Sequence, residues 1–212
     1  MVDACGLSIP QTLEELCQPS RCAVILYDMQ VGIVQQVPEG RDVLLRCQEL
    51  LFAAREKGFR IFFCRHQFLP NRYAGTGQLH RSMIWQCQQD PAQLKPMTAR
   101  DTDAWQIVPE LAPRPDEVIV DKITMSAFEG TFLNNAMRDA RIEGFIIAGI
   151  ALEVGIEPTV RHGLDLNYMP IVVTDACGSK TPELKSRSIA TLTDTGEVRI
   201  ANTRDVLAAT AS

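Results

Sequence analysis

Asp28 stands directly after a fully apolar run, Cys22 to Tyr27 (CAVILY), in the stretch LYDMQ. A carboxylate at the end of a buried segment is costly unless a partner or a task holds it there. Alone, it could instead be a cap for the next segment. Lys122 follows a second β-rich run, in VIVDKITMSAF. An ammonium beside that carboxylate would keep it ionised and aimed, as a general acid or base requires. A third stretch, GIALEVGIEPTVRHG over residues 149–163, puts Gly149 and Gly155 at a tight strand-to-helix turn. Free N–H groups gather at a helix start and favour an anion or a developing negative charge. Glycine lets backbone approach a ligand closely, although on spacing alone these glycines could simply shape the turn.

From Arg65 to Gln89 the chain holds Arg65, His66, Arg72, His80 and Arg81 and no Asp or Glu. In a chain of formal net charge −5, that is a local positive patch suited to a carboxylate-bearing substrate. Phe68, Tyr73 and Trp85 in the same stretch could wall a pocket. A solvated surface loop is the alternative reading.

The elements that would carry these residues alternate between strand and helix. Cys22–Tyr27 has the unbroken apolarity of a strand covered on both faces. Residues 41–57 place Val43, Cys47, Leu50, Leu51 and Ala54 on one helical stripe, and Gly58 ends that helix. Residues 59–64 (FRIFFC) give a second strand. Residues 65–115, rich in Pro, Gly and Gln, predict a long excursion with short helices, and a loop of that length is usually functional. Further strands are expected at 117–121, 144–149, 170–174 and 197–200. Helices are expected at 131–140, with Phe132, Leu133, Ala136, Met137 and Ala140 inward, and at 155–165, 182–193 and from Arg204. Such βα repetition implies a parallel sheet with helices on both faces. Ligands of such sheets bind beyond the carboxyl ends of strands, where the strand order reverses.

The bulk properties narrow the function. At 212 residues the chain suits one domain, read as residues 21–212 behind an N-terminal extension of residues 1–20. The acidic balance and the lack of a basic run argue against a nucleic-acid partner. No apolar stretch is long enough for a bilayer, and the N-terminus lacks the bases and apolar core of a signal peptide. A cytoplasmic protein without a membrane partner is expected. The seven cysteines, at 5, 17, 22, 47, 64, 87 and 177, form no CxxC pair and read as small buried residues and surface thiols. There is no GxGxxG, GxxxxGK[ST] or GxSxG, and His66, His80 and His162 lack zinc spacing. No cofactor and no metal are expected.

From residue 22 to about 179 the chain resembles the isochorismatase-like, or cysteine hydrolase, family. The resemblance lies in AVILYDMQVGIV, in DKITMSAFEGTFLNNAMRDARIEGFIIAGIA and in GIALEVGIEPTVRHGLDLNYMPIVVTDACGS. It implies a three-layer α/β/α Rossmann-like fold whose six-stranded parallel sheet runs in the order 3-2-1-4-5-6. It implies Asp28 and Lys122 as catalytic residues; Gly155, Ala151 and Phe128, together with Arg65 and His66 of the positive patch, are the expected substrate-binding residues. It also implies a non-proline cis peptide at Ile150–Ala151 and a homo-oligomer, dimer or tetramer. The chain departs from the family pattern at three places. Gly155 stands where most members carry the nucleophilic Cys, so thioester chemistry through that position is closed. Arg65-His66-Gln67 replaces the acid-x-His metal motif of nicotinamidases. Ala151 stands where true isochorismatases, which also carry Gly at the nucleophile place, have Tyr. Those enzymes cleave a vinyl ether without a covalent enzyme intermediate, with the Asp as general acid. The expectation is a hydrolase of a small, carboxylated molecule using Asp28, Lys122 and water. A binding or regulatory relative without catalysis is the alternative.

Overall fold

The computed structural model describes residues 1–211. The chain opens with an antiparallel hairpin, β1 (Val2–Ala4) and β2 (Leu7–Ile9), and a single helical turn, α1 (Leu13–Leu16). Thr12 caps that turn in a reciprocal capping box with Glu15, and Leu16 and Cys17 sink into the core. The body then alternates as expected: β3 (Cys22–Tyr27), α2 (Val31–Val34), α3 (Gly40–Lys57), β4 (Arg60–His66) and α4 (Thr76–Trp85). It continues with β5 (Val118–Lys122), α5 (Leu133–Asp139), β6 (Gly144–Ile150), α6 (Glu157–Asp165), β7 (Met169–Gly178), α7 (Pro182–Asp194), β8 (Arg199–Ala201) and α8 (Thr203–Ala211).

Six strands form one parallel sheet in the order β5-β4-β3-β6-β7-β8, the predicted 3-2-1-4-5-6 in terms of these six. Both faces are covered, which is why β3 and β6 can be apolar throughout. Alternation divides β3 between two cores. Val24 and Leu26 join the cluster beneath α3 and α8, while Ala23, Ile25 and Tyr27 join the cluster beneath α5 and α6. The stripe Val43, Cys47, Leu50, Leu51 and Ala54 buries α3 against the first of these. Gly58, left-handed at φ 75°, ends α3 and returns its N–H to Ala54 and Arg55.

Strand order reverses at β3 and β6, so their carboxyl ends form the crevice expected of such sheets. Several local readings change there. Lys122 is the last residue of β5 rather than the residue after it. β7, expected at 170–174, runs on to Gly178 past a register shift between Ile147 and Gly149, so Cys177 lies inside the strand. Phe132, expected inward, precedes α5 and is 51% exposed. A π-helical turn, Leu152–Ile156, precedes α6.

Candidate active site

Asp28 leaves β3 in a left-handed conformation, φ 50°, which Asp tolerates better than most residues. Its N–H donates to Cys64 O at 3.0 Å, which holds the corner against β4. Lys122, paired in register with His66, lies one strand further out. Its Nζ donates to Asp28 Oδ2 at 2.8 Å and to Thr124 O at 3.2 Å. The ammonium also sits 4.2 Å from the centre of the Tyr27 ring, a cation–π contact. Asp28 and Lys122 are 6% and 2% exposed, so the pair is removed from water. Asp28 Oδ1, by contrast, is buried and has no partner among the described residues. Burial pushes the Asp28 carboxyl up to about 6, against the opposing pull of the Lys122 charge and hydrogen bond. A carboxyl at that value serves either direction of proton transfer near neutral pH.

The pair opens on a cavity of about 310 Å³, at the small end of ligand sites. Of the residues implied for substrate binding, Ala151, Gly155 and His66 line it. Lys180 and Glu153 also line it. Lys180 is exposed, and the Glu153 carboxylate is held by the Ser179 hydroxyl at 2.5 Å and the Lys180 amide at 3.0 Å. Thr98 brings a buried hydroxyl that has no partner among the described residues. The Ile150–Ala151 peptide is cis.

Gly155 lines the cavity, but its amide is already spent within the turn. Its N–H donates to Ala151 O at 3.0 Å, and Ile156 N–H shares that acceptor at 3.2 Å, so the Gly155 amide is not free for a ligand. The unpartnered donors of this turn lie earlier: the backbone N–H groups of Glu153 and Val154, two residues that line the cavity, have no acceptor among the described residues. Thr159 locks the turn: its hydroxyl donates to Gly155 O at 2.7 Å and accepts from Ala127 N at 3.0 Å.

Arg65 and Phe128 lie away from the cavity. Strand alternation turns Arg65 to the side opposite His66, where its guanidinium pairs with Asp121 at 2.7 and 3.0 Å and stacks on Trp105. Phe128 stacks on Tyr168 and meets Phe145 and His162 edge-on, which makes it a packing residue of the core behind the sheet. The positive patch does not assemble at the cavity either. Arg72, His80 and Arg81 are absent from its lining, Tyr73 is exposed, and only Phe68 and Trp85 of the three aromatic residues form wall. His66 is not cationic near neutral pH: burial first, then the charges of Lys122 and Arg81, push its imidazole down to about 3.

Sequence reasoning missed Tyr27, Gln30, Thr98, Glu153 and Lys180. Gln30 is fully buried; its amide donates to His66 O and Trp105 O and accepts from His66 N, fastening the excursion to the end of β4. An aromatic residue closing an otherwise aliphatic strand beside Asp28 was a readable sign for Tyr27. Nothing local marked Thr98.

All seven cysteines are free, and five of them are buried. Burial pushes the thiols of Cys17, Cys64 and Cys177 up to about 12, and none lines the cavity. Thiol alkylation at neutral pH is therefore expected to modify Cys5 and Cys87 first and to leave turnover intact. Inactivation in step with modification of a buried thiol, followed by peptide mass spectrometry, would put that thiol in the reaction. Among the described residues, no three His, Cys, Asp or Glu side chains gather where a metal ion could be held, and no helix is long and apolar enough to cross a membrane.

The Isochorismatase domain family model matches residues 22–204. The chain is similar to the structure of a cysteine hydrolase from Pseudomonas syringae pv. phaseolicola, with 24% identity, a TM-score of 0.78, and coverage of 92% of this chain and 94% of that one. It is also similar to an isochorismatase family protein from Burkholderia thailandensis, with 27% identity, a TM-score of 0.71 and coverage of 91% and 97%. N-carbamoylsarcosine amidase from Thermoplasma acidophilum shares the fold at 18% identity and a TM-score of 0.70, with coverage of 86% and 96%. With the family model spanning all six strands of the parallel sheet and the same fold recurring in these structures, the chain belongs to the isochorismatase family.

Proposed function

We propose that this protein is a hydrolase of a small, carboxylated molecule, and that it works by non-covalent acid–base catalysis with water as the nucleophile. The observation that carries the reading is the Asp28 carboxyl: buried, tuned to about 6, anchored through one oxygen by Lys122, and unpartnered at the other. The cavity lining holds no Ser or Cys, its Thr98 hydroxyl bonds no base among the described residues, and position 155 has no side chain. A vinyl ether suits this equipment better than an amide. Protonated Asp28 gives its proton to the alkene carbon, and the resulting cation is resonance-stabilised by the ether oxygen. Water adds to that cation and loses a proton to the Asp28 carboxylate. The carbon–oxygen bond then breaks: Asp28 returns its proton to the leaving oxygen and takes up the hydroxyl proton of the adduct, so one fragment leaves as an alcohol and the other as a carbonyl compound, and Asp28 ends protonated as it began. Lys122 holds the carboxylate that remains after the first transfer. The amides of Glu153 and Val154 and the Thr98 hydroxyl supply donors for the polar groups of the substrate.

Lys180, exposed at the rim, is the cation left for the substrate carboxylate, because Lys122 is already paired. Lys180→Ala is expected to raise KM about tenfold with little change in kcat, the pattern of an interaction equal in ground and transition states. An unchanged KM would assign the carboxylate elsewhere. The substrate class is tested by a hydrolysis screen of amides, vinyl ethers and carboxylated small molecules, read by mass spectrometry, with Asp28→Asn as control. A binding or regulatory protein would retain members of that panel without converting any of them. We also propose a cytoplasmic homo-oligomer, dimer or tetramer. Leu45 and Phe52, seven residues apart on α3 and 52% and 70% exposed, support an apolar contact face. Light scattering after size exclusion gives the state directly.

A further inference from the structure

Tyr27 and Gly155 are fitted to each other. A Cβ added at Gly155 would lie 2.1 Å from Tyr27 Oη, 2.4 Å from Cζ and 2.5 Å from Cε1, far inside van der Waals contact. The ring cannot easily yield. Tyr27 is 1% exposed, its hydroxyl donates to Met125 O, and the Lys122 ammonium rests on its face. Its backbone is pinned as well: Gly149, at φ 133°, passes so close that a Cβ there would fall 2.0 Å from Tyr27 O. Tyr27 and Gly155 both line the cavity, so the phenol stands where a side chain at 155 would have to come.

We propose that Tyr27 is a positioning residue that fills the nucleophile's place: it closes position 155 to any side chain and seats the Lys122 ammonium against Asp28. The site is thereby built for chemistry without a covalent intermediate, and a cysteine cannot be restored at 155 by one substitution. This rests on the non-covalent reading above and extends it to the residue that enforces it.

The test is a double-mutant cycle of Tyr27→Val and Gly155→Cys, read by thermal melting. Each single substitution is expected to lower the melting temperature, Tyr27→Val by leaving a cavity and Gly155→Cys by collision. Together they should melt at least about 4 °C above Gly155→Cys alone, because removing the ring relieves the collision. Tyr27→Phe combined with Gly155→Cys should gain nothing comparable, since Cζ and Cε1 remain 2.4 and 2.5 Å from the added carbon. In the relieved double variant, iodoacetamide should label Cys at 155 while Cys64 and Cys177, both pushed up to about 12, stay unlabelled. Melting of Gly155→Cys at the wild-type temperature, or additive effects of the two substitutions, would overturn the proposal. So would failure of both Gly155→Cys and the double variant to fold. Failure of the single alone, with recovery in the double, supports it. The cycle reads stability, so its outcome is independent of the substrate screen and of the Asp28→Asn control, which judge the hydrolase reading.

Discussion

Asp28→Asn is expected to lower kcat by about 10³-fold, within the range of roughly 10²–10⁴ that a positioned acid or base supplies. The replacement keeps the shape of the side chain, and its carbonyl oxygen can still accept from Lys122, now 2.8 Å from Asp28 Oδ2. What it loses is the proton. The pH dependence sharpens the test. The wild-type carboxyl sits at about 6, raised by burial and restrained by Lys122. As a general acid it works in the protonated form, so kcat should fall as pH rises through about 6. A base would show the opposite limb, with activity lost on acidification. The residual rate of the Asn variant should lack this inflection. The variant should also remain folded: an ammonium without its counter-ion but still hydrogen-bonded costs about 2–3 kcal/mol, less than the total stability of an ordinary domain, about 5–15 kcal/mol. Full turnover by a folded Asp28→Asn protein would remove the carboxyl from the mechanism.

Lys122→Met carries the largest stability effect. It leaves the Asp28 carboxylate buried with no cation, a change that costs about 3–5 kcal/mol when one partner of a buried pair is deleted. The size of the loss should depend on pH, and the sign follows from linkage. The folded-state value of Asp28, about 6, already lies above its unfolded value near 3.8. The native state therefore binds this proton more tightly than the unfolded chain does. The associated stability is fully present below the unfolded value and is lost as pH rises through the folded one. Removing Lys122 deletes both influences that hold the carboxyl down, its charge and its hydrogen bond, so the folded value climbs further. The deficit of the variant should be largest near pH 8 and shrink toward pH 5, where the carboxyl is neutral in the folded variant. Urea unfolding at the two pH values measures it. An equal deficit at both would mean that Asp28 does not answer to Lys122.

Much of the scaffold was written in local periodicity. The α3 stripe, the apolar β3 and β6 runs and the closing Gly58 each depend on residues within a few positions of one another, and helical and strand periods are visible at that range. The pairing of Asp28 with Lys122 was anticipated for a related reason. Both stand at carboxyl ends of strands, and a parallel α/β sheet gathers such ends on one edge. Side-chain direction was not legible in the same way. Whether Arg65 or His66 faced the cavity depended on the phase of β4, and its neighbours decided that phase by offering Asp121 and Trp105 to the Arg65 side chain and Phe68 to the His66 ring. Phe128 went to the core because Phe145 and Tyr168, distant in sequence, left a slot between them.

The sequence by itself determined the order of strands and helices, the acid and the ammonium at strand ends, and the missing side chain at 155. Only the tertiary structure decided that the Gly155 amide is spent on Ala151, that Thr98 reaches the cavity from the long excursion, and that the Tyr27 phenol occupies the space the glycine leaves. The physical reason is range. Backbone propensity and periodicity act over a few residues, whereas hydrogen-bond partners and filled volume are settled by close packing between segments far apart in sequence, such as those of Tyr27 and Gly155, 128 positions apart (155 − 27 = 128).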